Sequence, residues 1–200
     1  MKQKTLKLME KAISSAGRWT YLELANDSFQ IEFEDVQLYK PNSKYSKHSS
    51  EIAIRLADNA FFNLFYNDIE DIKDIVFICT GDFSYDDFSY NILSGGLKFQ
   101  NFEFSKKIAN TYFYEKTLLG KSFKDISEGD CDFLLTVALD KIAIVCGANQ
   151  LHFFNDFESL NDEDIKKLSN QWCVYWLDYW KNKNKYEYDS SCEVFPYAEL

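Results

Sequence analysis

The apolar positions of this chain change period after its first sixteen residues. Over Thr5–Ala16, Leu6, Met9, Ile13 and Ala16 recur at helical spacing, and Gly17 stands where a left-handed cap closes a helix. From Tyr21 the period is two. Leu22 and Leu24 alternate with Tyr21 and Glu23, and Phe29, Ile31 and Phe33 alternate with Gln30, Glu32 and Glu34. A two-residue turn at Asn26-Asp27 sets Leu24 against Phe29 and Leu22 against Ile31, which predicts a hairpin with one apolar face. Beyond Phe33 the apolar positions move to Val36 and Leu38. A β-bulge at Glu34-Asp35, or the start of a new strand, accounts for that one-residue slip.

The polar segment Lys40–Ser50 reads as a surface loop. After it, Ile52, Ile54 and Leu56 match Tyr66, Leu64 and Phe62 across Asp58-Asn59-Ala60, which predicts a second hairpin. Asn67 or Asp68 caps a short helix carrying Ile69, Ile72 and Val76, followed by the apolar strand Ile75–Thr80. The stretch Gly81–Asn91, GDFSYDDFSYN, contains DFSY twice. In a strand, a five-residue offset points equivalent residues to opposite faces, so a break near Asp86 is expected. Phe83 and Phe88 then turn inward, and Tyr85, Asp86, Asp87 and Tyr90 turn toward solvent. Leu97–Phe104 alternates with one interruption near Asn101 and reads as a strand, whereas TYFYEKTLLG (111–120) fits strand or helix.

Phe133, Leu135, Val137 and Leu139 match Ala148, Cys146, Ile144 and Ile142 about a turn at Asp140-Lys141, and Leu151–Phe154 prolongs the second strand. A helix follows over Asp162–Lys181. Asn161 caps it, acidic residues fill its first turn, and Ile165, Leu168, Trp172, Trp176 and Tyr179 share a face. Trp172, Trp176 and Trp180 stand four apart and predict an aromatic stripe. The pattern as a whole predicts an α+β fold within a single globular domain, residues 1–200. Its curved, mainly antiparallel sheet is built from hairpins and flanked by an N-terminal helix and a longer, Trp-rich C-terminal helix.

Charge narrows the partners. The 200 residues carry 22 basic and 32 acidic side chains, a net charge of −10. Such a surface repels phosphate backbones, so nucleic acid is not an expected ligand, and it attracts basic proteins. No window approaches the ~18 apolar residues of a membrane helix. Lys and Glu interrupt the N-terminal segment throughout, unlike a secretory signal. The five scattered cysteines, Cys79, Cys131, Cys146, Cys173 and Cys192, fit reduced thiols in a cytoplasmic protein.

The chemistry that remains is sparse. The cysteines form no C-x-x-C pair and the only histidines are His48 and His152, which disfavours structural zinc. Asp82, Asp86 and Asp87 lack the spacing and glycine of a calcium loop. No P-loop lysine follows Gly95-Gly96. Cys79, Cys146 and Cys173 lie inside apolar patterns, where a thiol is packing, and His152 reads as a core-edge residue. No catalytic, metal or cofactor residues are assigned.

The leading expectation is an acidic, non-enzymatic protein-binding module. Its task would be to neutralise a basic, nuclease-like toxin in the manner of an immunity protein or antitoxin. Its contact residues would be Glu32, Glu34, Asp35, Tyr85, Asp86, Asp87 and Tyr90. The alternatives are a hydrolase or carbohydrate-active enzyme using carboxylates, and a homo-oligomer joined through the aromatic C-terminal helix.

Overall fold

Alternating apolar residues build strands that hydrogen-bond into one antiparallel, unclosed sheet of eight. The computed structural model describes residues 1–14, 18–39, 49–67, 97–99, 102–111, 114–138, 142–156 and 158–182. In chain order these form α1 (Gln3–Ser14), β1 (Arg18–Leu24), β2 (Ser28–Tyr39), β3 (Ser49–Tyr66), β4 (Leu97–Phe99) and α2 (Phe102–Thr111). Then follow β5 (Tyr114–Gly120), a 3-10 turn at Phe123–Asp125, β6 (Phe133–Ala138), β7 (Ile142–Asn155), β8 (Glu158–Leu160) and α3 (Asp162–Lys181). The strand order is β1-β2-β3-β7-β6-β4, with β5 added on β3 and β8 on β7. The fold is α+β, as the sequence pattern predicts.

The chain divides into two compact units. The first comprises Met1–Arg18, Phe33–Ile52 and Phe153–Leu200. It buries Leu6, Leu8, Met9, Ala12 and Ile13 of α1 and Ile165, Trp172, Trp176 and Tyr179 of α3. Asn161 caps α3 by accepting from the Glu163 and Asp164 amides, while the Asp164 carboxylate accepts from the Asn161 amide. This reciprocal capping box fixes the helix start at the predicted residue. The Asp162 carboxylate in that first turn accepts from the Lys2 amide at 3.1 Å, tying the start of α3 to the start of α1.

The second unit comprises Trp19–Glu32 and Ala53–His152. The turn at Asn26-Asp27 forms as predicted, closed by the Ala25 amide donating to the Ser28 carbonyl at 2.9 Å. The register of β6 and β7 is also the predicted one, with Phe133, Leu135 and Val137 opposite Ala148, Cys146 and Ile144. Residues 134–138 and 143–148 are buried without alternation, because both faces of these strands are covered. On one face Leu134, Ala143 and Val145 pack with Phe61, Phe65, Phe123, Ile126 and Ile108 of α2. The buried hydroxyls of Ser105 on α2 and Thr136 on β6 bond to each other, which satisfies both polar groups under the helix.

Three expectations are corrected. Asp58-Asn59-Ala60 is not a hairpin turn, because β3 runs unbroken through it for 18 residues. Asp58 takes a left-handed φ of 55° and absorbs the shift in apolar phase as a kink within the strand. Leu97–Phe104 is not one strand. It ends at Phe99, and a helix begins at Phe102 whose Ser105 and Ile108 turn inward. The tryptophan stripe is also shorter than its spacing implies. Trp172 and Trp176 are buried edge-to-face with centroids 5.4 Å apart, whereas Trp180 is 44% exposed. Each step of four residues advances about 40° around a helix of 3.6 residues per turn, so a third member drifts off the buried face.

The ambiguous segment 111–120 resolves as β5 from Tyr114. At Glu34-Asp35, β2 continues and Asp35 takes φ 56°, so of the two readings the continuous, bulged strand holds. α1 is helical from Gln3 to Ser14, and its expected last residues, Ser15 and Ala16, lie outside the described residues. The Gly17 cap, residues 40–48 of the loop expected over Lys40–Ser50, the helix and strand expected over 67–80 (beyond Asn67) and the Asp140-Lys141 turn lie outside the described residues, whereas Ser49 and Ser50 open β3 rather than close the loop.

Candidate functional site

Sequence reasoning placed the contact residues in two groups, and the structure describes one of them. Glu32, Glu34 and Asp35 lie on β2, where Phe29, Ile31 and Phe33 are fully buried and the intervening residues are half-buried. The alternation therefore presents Glu32 and Glu34 on the side opposite the core. Glu32 belongs to the second unit, Glu34 and Asp35 to the first. Tyr85, Asp86, Asp87 and Tyr90 lie outside the described residues.

Within the second unit the polar side of the β1–β2 hairpin is ordered by its own hydrogen bonds. The Gln30 amide nitrogen Nε2 donates to Glu32 Oε1 at 2.8 Å, and the Tyr21 hydroxyl donates to Glu23 Oε2 at 3.2 Å. Each bond joins residues two apart on one strand, which share a face. The result is a patch of two carboxylates held by an amide and a phenol on strands whose other side is core. Glu23 and Tyr21 were not singled out from sequence, although their alternation with Leu22 and Leu24 carried the signal.

A second feature of this unit was not legible in the sequence. Phe65, Lys106, Asn110, Tyr114, Glu115 and Lys124 line a cleft of about 510 Å³ among β3, β5, α2 and the 3-10 turn. Glu115 Oε1 accepts three hydrogen bonds there, from Asn63 Nδ2 at 3.0 Å, Ser122 Oγ at 3.1 Å and the Phe123 amide at 2.6 Å. Asn63 is fully buried and also donates to Thr117 Oγ1 at 2.9 Å. The convergence explains the strand register: the β3–β5 pairing shifts between Phe62 and Asn63, and the shift accompanies the link from Asn63 to Glu115. The carboxylate thus anchors the 3-10 turn to β3. Glycosidase chemistry uses two facing carboxylates, and Glu115 is the one carboxylate among the cleft's described lining residues.

The described thiols are packing groups. Burial pushes the Cys131 thiol up to about 11, and Asp130 and Asp132 add to the rise against a hydrogen bond from Ala148. Cys146, fully buried, is pushed up further by the same cause and donates to Asn59 Oδ1 at 3.8 Å. A nucleophilic cysteine needs the opposite shift. His152 is exposed on β7, rather than tucked at the core edge. Among the described residues no three His, Cys, Asp or Glu side chains gather as metal ligands, and no helix is long and apolar enough to cross a membrane.

In the first unit, the outward side of α3 carries a shallow groove of about 690 Å³, bordered by Tyr39, Lys167, Gln171, Val174 and Tyr175. Val174 and Leu177 are 65% and 50% exposed. No protein-family profile, no curated protein and no solved structure matches this chain.

Proposed function

We propose that this protein is an acidic binding protein that sequesters a basic protein partner, in the manner of an immunity protein or antitoxin facing a nuclease-like toxin. The observation that carries the reading is the ordered carboxylate patch of Tyr21, Glu23, Gln30 and Glu32 on the β1–β2 hairpin. Its carboxylates sit on strands locked by buried Leu22, Phe29 and Ile31, so little side-chain freedom is lost on binding. The net charge of −10 supplies a long-range field of the sign that draws in a basic surface.

The test is kinetic. The chain is purified with its basic partner, and association is followed by stopped-flow at several salt concentrations. Reversing both charges, Glu23→Lys with Glu32→Lys, is expected to slow association at low salt by about tenfold or more and to flatten its salt dependence. Recovery of the chain with no basic partner, or an unchanged on-rate in the double variant, rules the reading out.

A further inference from the structure

α3 has two faces, and the described residues of the first unit pack against one of them. Ile165, Ser169, Trp172, Trp176 and Tyr179 are buried. On the outer side, Glu163, Lys167, Asn170, Val174, Leu177 and Lys181 recur at alternating steps of four and three residues, the spacing of a coiled-coil seam. Val174 and Leu177, in its C-terminal half, are two of the large apolar side chains the described residues leave exposed. Two apolar residues among charges do not identify a partner by themselves. The arrangement of the charges does.

Acidic residues occupy the first turn of α3, at Asp162, Glu163 and Asp164, and Lys181 closes the last turn. One turn inward the signs reverse, with Lys166 and Lys167 near the start and Asp178 near the end. A sequence with that antisymmetry complements itself when reversed. Laid antiparallel against a second copy, about a two-fold axis level with Trp172, Glu163 meets the partner's Lys181 and Lys167 meets the partner's Asp178. Val174 then meets the partner's Asn170, and the stem of Lys167 lies over the partner's Leu177. Each contact occurs twice, as a two-fold interface requires. A parallel arrangement would instead set Glu163 against its own copy and Lys181 against its own copy. The helix dipoles also oppose favourably only in the antiparallel case.

We propose that the outer face of α3 docks a second copy of this chain in an antiparallel helix pair. The inference does not depend on the carboxylate patch of the hairpin. Because the seam holds two apolar residues per copy and its ion pairs are exposed, the pair is a reversible, salt-sensitive dimer rather than an obligate one.

Sedimentation velocity of the full chain over a range of concentrations reads the dimer, with circular dichroism confirming that each variant keeps its helix content. The expected result is a dimer that weakens as salt rises. Val174→Glu should leave only monomer. Glu163→Lys and Lys181→Glu should each weaken the dimer by about tenfold, because two opposite-charge contacts become like-charge contacts. Combining the two swaps restores opposite charges in the same places and should return the dimer to within about threefold of the parent. A chain that stays monomeric at every concentration overturns the proposal. So does a dimer that survives Val174→Glu, or a double swap no better than either single one.

Discussion

Replacing Gly120 with alanine puts a methyl group where the chain has no room for it. Gly120 ends β5 opposite Phe61 of β3 and holds a left-handed φ of 78°. A Cβ at that position would lie 2.1 Å from the Ala60 carbonyl oxygen and 2.9 Å from Phe61 Cα. Both are backbone atoms of β3, so neither swings aside as a side chain would. The left-handed backbone alone costs an alanine about 1–2 kcal/mol, and prising two packed strands apart adds roughly 1–3 kcal/mol. The loss is therefore about 2–5 kcal/mol, a large part of the ~5–15 kcal/mol that holds a typical domain together. With a urea slope of about 2 kcal/mol/M, a loss of about 3 kcal/mol lowers the unfolding midpoint by about 1.5 M. Gly129 is the matched control. It has no left-handed φ and nothing within 4 Å of its would-be Cβ, so Gly129→Ala should stay within about 0.5 kcal/mol of the parent. Urea unfolding followed by far-ultraviolet circular dichroism gives the midpoints, and amide exchange of β3 and β5 locates the damage. A Gly120→Ala midpoint within about 0.3 M of the parent refutes the steric reasoning.

Two shorter predictions concern the cap and the thiols. Asn161→Ala removes one partner of the capping box and should cost about 1 kcal/mol, whereas Asn161→Asp should be nearly neutral; thermal melts compare them, and equal melts would deny the cap a role. Iodoacetamide at pH 7.5 should label Cys131 and Cys146 far more slowly in the folded chain than in urea, and equal rates would contradict their burial. The linked pH effect has a definite sign. The folded thiols hold protons that the unfolded chain releases near its ordinary value, so their contribution is complete below about pH 8.5 and falls as pH rises toward 11.

Much of the sheet was legible because alternation and turn chemistry agree. In β6 and β7 two apolar runs flank a short connection that sets their register, and the observed pairs are those read from the sequence. Legibility failed where two structures share one local signature. Asp-Asn is as good at kinking a strand as at closing a hairpin, since both tasks need a residue that tolerates left-handed backbone. At Asp58 the choice was made by distant partners: the Asn149 side chain donates to its carboxylate at 3.2 Å, and the Asn59 amide donates to the Asp27 carbonyl at 3.3 Å. The segment Phe102–Phe104 was misread because its aromatic residues suit a strand, and only the buried contacts of Ser105 and Ile108 reveal the helical face. The Glu115 cleft could not be read at all, because its central bond joins residues 52 apart in the chain.

The positive-φ residues allow the structural and functional roles of one candidate contact to be separated. Asp35, Asp58 and Asp156 are the described non-glycine residues with left-handed backbone, and all three are aspartates. Short polar side chains tolerate that conformation, so the bend by itself favours an aspartate at each position. Asp35 therefore has two candidate roles: it sits beside Glu34 in the expected contact group, and the bulge also favours an aspartate there. Asparagine keeps the conformational tolerance and removes the charge, whereas alanine removes both. If Asp35 serves only the bulge, Asp35→Asn should leave the urea midpoint and partner association unchanged, while Asp35→Ala should cost about 1–2 kcal/mol. If its charge steers a basic partner, Asp35→Asn should slow association at low salt with the midpoint held. Equal destabilisation by asparagine and alanine would refute both, since neither the backbone nor the field distinguishes them in that way.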